Sequence, residues 1–253
     1  MKKKVFSGIL AASLLMQVAV IPVSAEETTY YPYALFAANA DTNSIQLNTP
    51  HLTVNGDMTT NGTFSSTAIN PTLNSVITEN ANETLLLIGD KLENGYFSSN
   101  ADTYAEDYTY SDVNVNVGTS IIADGDISLE GNISLNAGLM SLTDINIDGE
   151  VKNSNNTVLY AQAGDVNINS TNATINGLVY APYGTVYIDG QNVNINGSII
   201  AQDIVIESDG ININYNTNVA ALIGTTPDAM PEPDDSDFID IGEIYFKDIT
   251  DNS

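Results

Sequence analysis

The chain has 253 residues, with 32 acidic side chains against 6 lysines, no arginine, no cysteine and one histidine. A formal charge of −26 repels phosphate backbones and anionic bilayers, which excludes nucleic acid as a partner. Without cysteine the fold must rest on an apolar core and backbone ladders, and a thiol nucleophile or a cysteine-ligated zinc cannot be built.

In chain order, Lys2, Lys3 and Lys4 precede an apolar stretch from Gly8 to Val20, broken only by Ser13 and Gln17. Val23-Ser24-Ala25 then supplies small residues for cleavage before Glu26. This is the pattern of a secretory signal peptide over 1–25, too short to serve as a membrane span. Its removal leaves Lys91, Lys152 and Lys247 against 32 acids, 3 − 32 = −29, on a chain expected outside the cell.

The next segment reads as one or two β-coils. Ala34-Leu35-Phe36-Ala37 precedes Ser44-Ile45-Gln46-Leu47, and Leu52-Thr53-Val54-Asn55-Gly56 matches Val193-Asn194-Ile195-Asn196-Gly197. From about 66 to 111 the pattern changes. Leu85, Ile88, Leu92 and Tyr96 are spaced by 3, 4 and 4, a helical stripe, with Asn80 or Asn82 to cap its start and Gly95 near its end. We expect an inserted helix packed on the side of the coils, followed by an acidic, tyrosine-rich loop from Tyr104 to Tyr110.

A repeat dominates the rest. Ile121-Ile122-Ala123, Leu139-Met140-Ser141, Leu159-Tyr160-Ala161, Val179-Tyr180-Ala181 and Ile199-Ile200-Ala201 recur at spacings of 18, 20, 20 and 20. Each is followed by an alternating triplet, such as Ile127-Ser128-Leu129 or Val186-Tyr187-Ile188, and most units close on a second one, such as Val193-Asn194-Ile195. Alternation of β-branched and polar residues is the strand period. Short alternating strands suit either an antiparallel sandwich or a solenoid. Hairpins do not require equivalent positions to recur at one spacing, whereas coils stacked ~4.8 Å apart do. The sequence therefore predicts an all-β, single-stranded parallel β-helix over 26–224, of six or seven coils, with one inserted α-helix. The 31 asparagines suit amide ladders on its polar faces. Residues 225–253 carry Pro227, Pro231 and Pro233 among acids and read as a linker or tail, with a strand-like patch from Gly242 to Ile249.

Two surface columns carry the functional expectations. Asp126, Asp144, Asp165 and Asp203 each precede an alternating triplet, with Thr185 at the intervening coil. Carboxylates ~4.8 Å apart repel by about 0.9 kcal/mol in bulk water, so something must offset the charge. Either each caps its own turn by accepting a backbone N–H, or Ca²⁺ bridges neighbours. Tyr160 and Tyr180 share a coil position, with Tyr183 and Tyr187 nearby; they either form a platform for sugar rings or cover the side of the solenoid. Nucleophilic catalysis has His51 as its one base, in a turn before a strand. A polysaccharide lyase would need basic residues that this chain lacks, and a hydrolase has only Asp124 and Asp126 as a close pair.

Several stretches resemble a β-helical module of secreted clostridial and related Gram-positive surface proteins. They are Tyr33-Ala34-Leu35-Phe36-Ala37, Glu150-Val151-Lys152-Asn153-Ser154-Asn155-Asn156, Asn176-Gly177-Leu178-Val179-Tyr180-Ala181-Pro182-Tyr183-Gly184 and the ending Ile244-Tyr245-Phe246-Lys247-Asp248-Ile249. In that family the module commonly opens a longer protein, ahead of von Willebrand A-like or repeat domains; the resemblance implies a surface or matrix role without established chemistry. Here the chain stops at Ser253 without them. The stacked glycine and β-branched pattern is also similar to bactofilins, which implies fold alone. The expectation is a non-enzymatic cell-surface or matrix module contacting glycan or protein. Self-association through coil ends and a polysaccharide-active enzyme are the alternatives.

Overall fold

The computed structural model describes residues 33–219 apart from 86, 99, 153–155 and 217. The expected signal peptide and the acidic tail lie outside the described residues. Every described strand pairing is parallel, and all 17 strands belong to one sheet wound into a solenoid. The antiparallel alternative is thereby removed.

Each turn contributes three stretches. The first face carries Tyr33–Ala37, Asp57–Thr60, Ile77–Thr78, Ala101–Tyr104, Ser120–Ala123, Leu139–Ser141 and Thr157–Ala161. Ile45–Leu47 and Phe64–Ser66 lie on the second face, and Leu52–Asn55 and Thr72–Asn74 on the third. Longer strands such as Ile127–Leu135 and Ile145–Lys152 turn the corner between second and third, and Thr174–Ile206 passes several corners without a break. Their inward Ile, Val, Leu and Ala positions form one continuous core. Glycine is required where successive corners touch: a Cβ at Gly197 would collide with the backbone carbonyl of Gly177 one turn away.

The order of the turns does not follow the chain. On the first face 101–104 pairs with 120–123, then 139–141, 157–161 and 177–180 follow. The rung at 199–201 pairs with 35–37, which pairs with Asp57–Thr60, which pairs with Ile77–Thr78. The amino-terminal coil thus stacks on the carboxy-terminal one, with Leu35 beside Ile199 and Asn55 beside Asn214. Nine rungs result among the described residues, where the repeat had suggested six or seven.

An asparagine ladder runs across this junction. Asn196 Nδ2 donates to Asn176 Oδ1 at 2.7 Å, Asn214 to Asn196 at 3.0 Å, Asn55 to Asn214 at 2.6 Å and Asn74 to Asn55 at 2.6 Å. Each amide uses its N–H₂ toward one neighbour and its carbonyl toward the other, which accounts for the asparagine excess on this face. Asn172 and Asn192, at φ 60° and 52°, hold left-handed corners and bond each other at 3.1 Å.

The break read at about 66–111 is narrower. Strands at 64–66, 72–74, 77–78, 101–104 and 108–117 belong to the end turns of the solenoid, so only about 79–100 leaves it. This connection carries the chain from one end of the stack back to the other. Its helix is short, Gly89–Lys91 running into a wider turn at Leu92–Tyr96. Ile88, Leu92 and Phe97 are fully buried, with Leu85 and Tyr96 half-buried beside them. They pack on outward side chains of the first face: Ile122, Met140, Tyr160, Tyr180, Ile200 and Phe36. The segment is a strap across the solenoid's side and does not cover its ends. Among the described residues no helix is long and apolar enough to cross a membrane.

Candidate functional site

The aspartate row exists and is used structurally. Asp126 Oδ1 accepts the Asp144 backbone N–H at 3.2 Å and the Thr143 hydroxyl at 2.5 Å. Asp144 Oδ1 accepts the Asp165 N–H at 2.8 Å, and Asp165 Oδ1 accepts the Thr185 N–H at 2.7 Å. Asp203 accepts Asn39 Nδ2 at 3.0 and 3.2 Å. The row starts one coil earlier than the sequence suggested, at Asp107, whose Oδ1 accepts the Asp126 N–H at 2.9 Å. Its signal was its place before Tyr108-Thr109-Tyr110, a triplet hidden in what read as a loop. Each carboxylate from Asp107 to Asp165 therefore caps the adjacent coil, not its own turn, and charge-assisted bonds to N–H offset the repulsion along the row. Among the described residues no group of three or more His, Cys, Asp or Glu converges as metal ligands.

His51 is exposed, and its Nδ1 lies 2.5 Å from Asp209 Oδ1, a surface link between the amino- and carboxy-terminal coils. Asp126, one of the close aspartate pair considered for hydrolysis, is occupied by the row.

The four tyrosines separate into two pairs, which corrects the idea of one open platform. Tyr160 and Tyr180 are 3% and 0% exposed, because the strap lies over them; their rings sit 5.2 Å apart at 38°. Tyr183 and Tyr187, at 61% and 43%, are open. A Cβ at Gly89 would collide with the Tyr160 hydroxyl, so glycine there lets the strap close down on the ring. The Ile88 N–H donates to Tyr180 Oη at 3.2 Å.

Where strap and first face meet, a recess of about 190 Å³ remains. Tyr160, Tyr180, Tyr183 and Gln162 line it from the solenoid, and Asp90 and Glu93 line it from the strap. The Tyr160 phenol is pushed up to about 12, mainly by burial and then by the charges of Glu93, Tyr183 and Asp90. It remains protonated over the physiological range. No hydrogen-bond partner for its hydroxyl occurs among the described residues. Asp90 and Glu93 were not singled out from sequence; their only signal is that they flank Leu92 on the polar side of the apolar stripe.

A family model described as a domain of unknown function, DUF7305, matches residues 53–222, that is 170 of the 253 residues. No curated protein matches the chain. Similar solved structures include an ice binding protein from an Antarctic Biological Consortium, at 13% identity and TM-score 0.42, covering 74% of this chain and 89% of that one. An ice-binding protein from the Antarctic ascomycete Antarctomyces psychrotrophicus is 15% identical with TM-score 0.38, over 73% and 95%. The ice-binding protein_1 DUF3494 domain of Shewanella frigidimarina is 13% identical with TM-score 0.33, over 73% and 94%. These likenesses carry no ligand over to the present chain. The family match does span most of the solenoid, and the protein belongs to the family of the domain of unknown function DUF7305.

Proposed function

We propose that this protein is a non-enzymatic extracellular module, a rigid element of the cell surface or its surrounding matrix, that contacts glycan through the recess beside the strap. The observation that carries the reading is the pairing of an exposed ring, Tyr183, with a mostly buried ring, Tyr160, that lines the same recess and whose hydroxyl has no hydrogen-bond partner among the described residues. Aromatic faces with a few convergent polar groups are what a sugar ring needs, apolar contact on one face and hydrogen bonds at its edge. The Gln162 side-chain amide adds a donor and an acceptor there. The resemblance to secreted clostridial modules and the signal-peptide pattern support the location. A glycan array probed with the secreted protein tests the reading: binding that is lost in Tyr183→Ala, with melting unchanged, is expected. No binding to any sugar on the array sinks it.

A second reading has its own observation. Ile69, Val76 and Ile77 are exposed near one end of the stack, and Tyr104, Tyr110 and Val113 near the other. Open strand edges with apolar side chains favour end-to-end stacking. Light scattering against concentration separates the two, since an end-stacking chain grows in length and a monomeric one does not.

A further inference from the structure

We infer that the recess selects a ligand bearing an ammonium group, and that among glycans it takes amino sugars whose nitrogen is not acetylated. This rests on the glycan reading above and names its substrate class. The strap brings Asp90 and Glu93 to the rim of a pocket walled by Tyr160, Tyr180 and Tyr183. No hydrogen bond or ion pair to either carboxylate group occurs among the described residues. Lys91, between them in sequence, is exposed and forms no ion pair among the described residues. The second and independent observation is Tyr160, whose side chain is almost wholly buried yet whose hydroxyl is unpartnered at the recess.

The choice of class follows from what each ligand would do to these groups. A neutral sugar entering the recess would strip water from Asp90 and Glu93 and return only hydrogen bonds. A uronic acid would add a third negative charge beside them. An ammonium supplies three N–H donors and a positive charge. It can be met by the two carboxylates and by the Tyr160 oxygen, and held against the negative faces of the tyrosine rings. The high negative charge of the chain raises the local concentration of such cations before contact. Acetylating the nitrogen removes the charge and two of the three N–H donors, so discrimination between the two forms is built into the site.

The test is calorimetric titration of the full secreted protein with a β-1,4-linked glucosamine tetramer and with its N-acetylated counterpart, at low salt and mildly acidic pH. The expected result is binding of the free-amine tetramer at least about tenfold tighter, a preference that shrinks as salt rises and largely disappears in Glu93→Gln. Asp90→Asn serves as the second variant; both positions are on the strap's surface, and an unchanged melting curve shows that the strap stays docked. Equal affinity for the two tetramers overturns the ammonium selection while leaving the glycan reading intact. So does a preference that survives in both Glu93→Gln and Asp90→Asn. Binding of Nα-acetyl-lysine methylamide as tight as that of the tetramer overturns the assignment to amino sugars, and places the same chemistry on a protein's lysine. Absence of binding to every sugar tested removes both readings.

Discussion

Removing one side chain from the strap makes a sharp test of how it is held. Leu92→Ala empties a fully buried position over the first face. The strap is anchored by three fully buried apolar side chains, Ile88, Leu92 and Phe97. At ~1.5–3 kcal/mol each they contribute roughly 5–9 kcal/mol gross, against which stands the entropy of ordering the segment. Leu→Ala at such a site costs about 2–5 kcal/mol, enough to bring docking of the strap close to balance while the solenoid ladder stays intact. The reporter is Tyr160. In the native protein its phenol is pushed up to about 12, chiefly by burial under the strap. A phenol raised in the folded state gives stability that is fully present below its ordinary value near 10 and is lost as pH climbs toward 12. Ultraviolet titration of the wild type should therefore show a late tyrosine ionisation and loss of strap docking in that window. In Leu92→Ala the late step should fall back toward 10 while far-ultraviolet circular dichroism is unchanged. Burial also raises Tyr33, Tyr96 and Tyr108, so the step to follow is the one that Tyr160→Phe removes. Its persistence at high pH in Leu92→Ala would refute the reasoning, since burial under the strap would not be its cause.

Two further outcomes follow from the coil contacts. Gly197→Ala drives a Cβ into the Gly177 carbonyl and should cost about 3 kcal/mol or more in urea unfolding, whereas Gly118→Ala, with open space around it, should change stability by less than about 1 kcal/mol. Asp144→Ala leaves the Asp165 N–H without its acceptor and should cost about 1–3 kcal/mol, while added calcium leaves the wild-type melting temperature unchanged because the carboxylates already serve as caps.

The spacing of like triplets made the coils from Ser120 to Tyr215 legible, because inward Ile, Val and Leu recur wherever a coil has neighbours on both sides. It failed at the ends of the stack for the same reason. End coils are covered on one side only, so Leu73 and Tyr108 remain half-buried and their strands carry fewer apolar residues to reveal them. The order of stacking left no local trace, since every coil presents similar edges. The likeness of Leu52–Gly56 to Val193–Gly197 shows membership of one column and says nothing of who sits next to whom. The helical stripe of the strap was visible, but its landing place was not matched to it. The signal was present: Ile122, Met140, Tyr160, Tyr180 and Ile200 are apolar or aromatic at outward positions in every one of these rungs, where the other faces place mostly Asn, Ser and Thr, with Tyr187 and Val205 as exceptions. An outward apolar column implies a cover. Tyr160 and Tyr180, which the sequence leaves open to a sugar platform or to covering the side of the solenoid, belong to that column, and the two strap carboxylates at the recess left no signal of their own there.

Stacking of the first coil on the last is the feature on which the connection, the strap and the recess all depend. The chain has no cysteine, so a pair introduced at Asn55 and Asn214 reports on that contact without background. Directly opposed residues of adjacent coils lie ~4.8 Å apart, within reach of a disulfide. Under mild oxidation Asn55→Cys with Asn214→Cys should cross-link within one folded chain, and Asn55→Cys with Asn116→Cys, at the far end of the stack, should not. A 55–116 cross-link with none between 55 and 214 would contradict the arrangement.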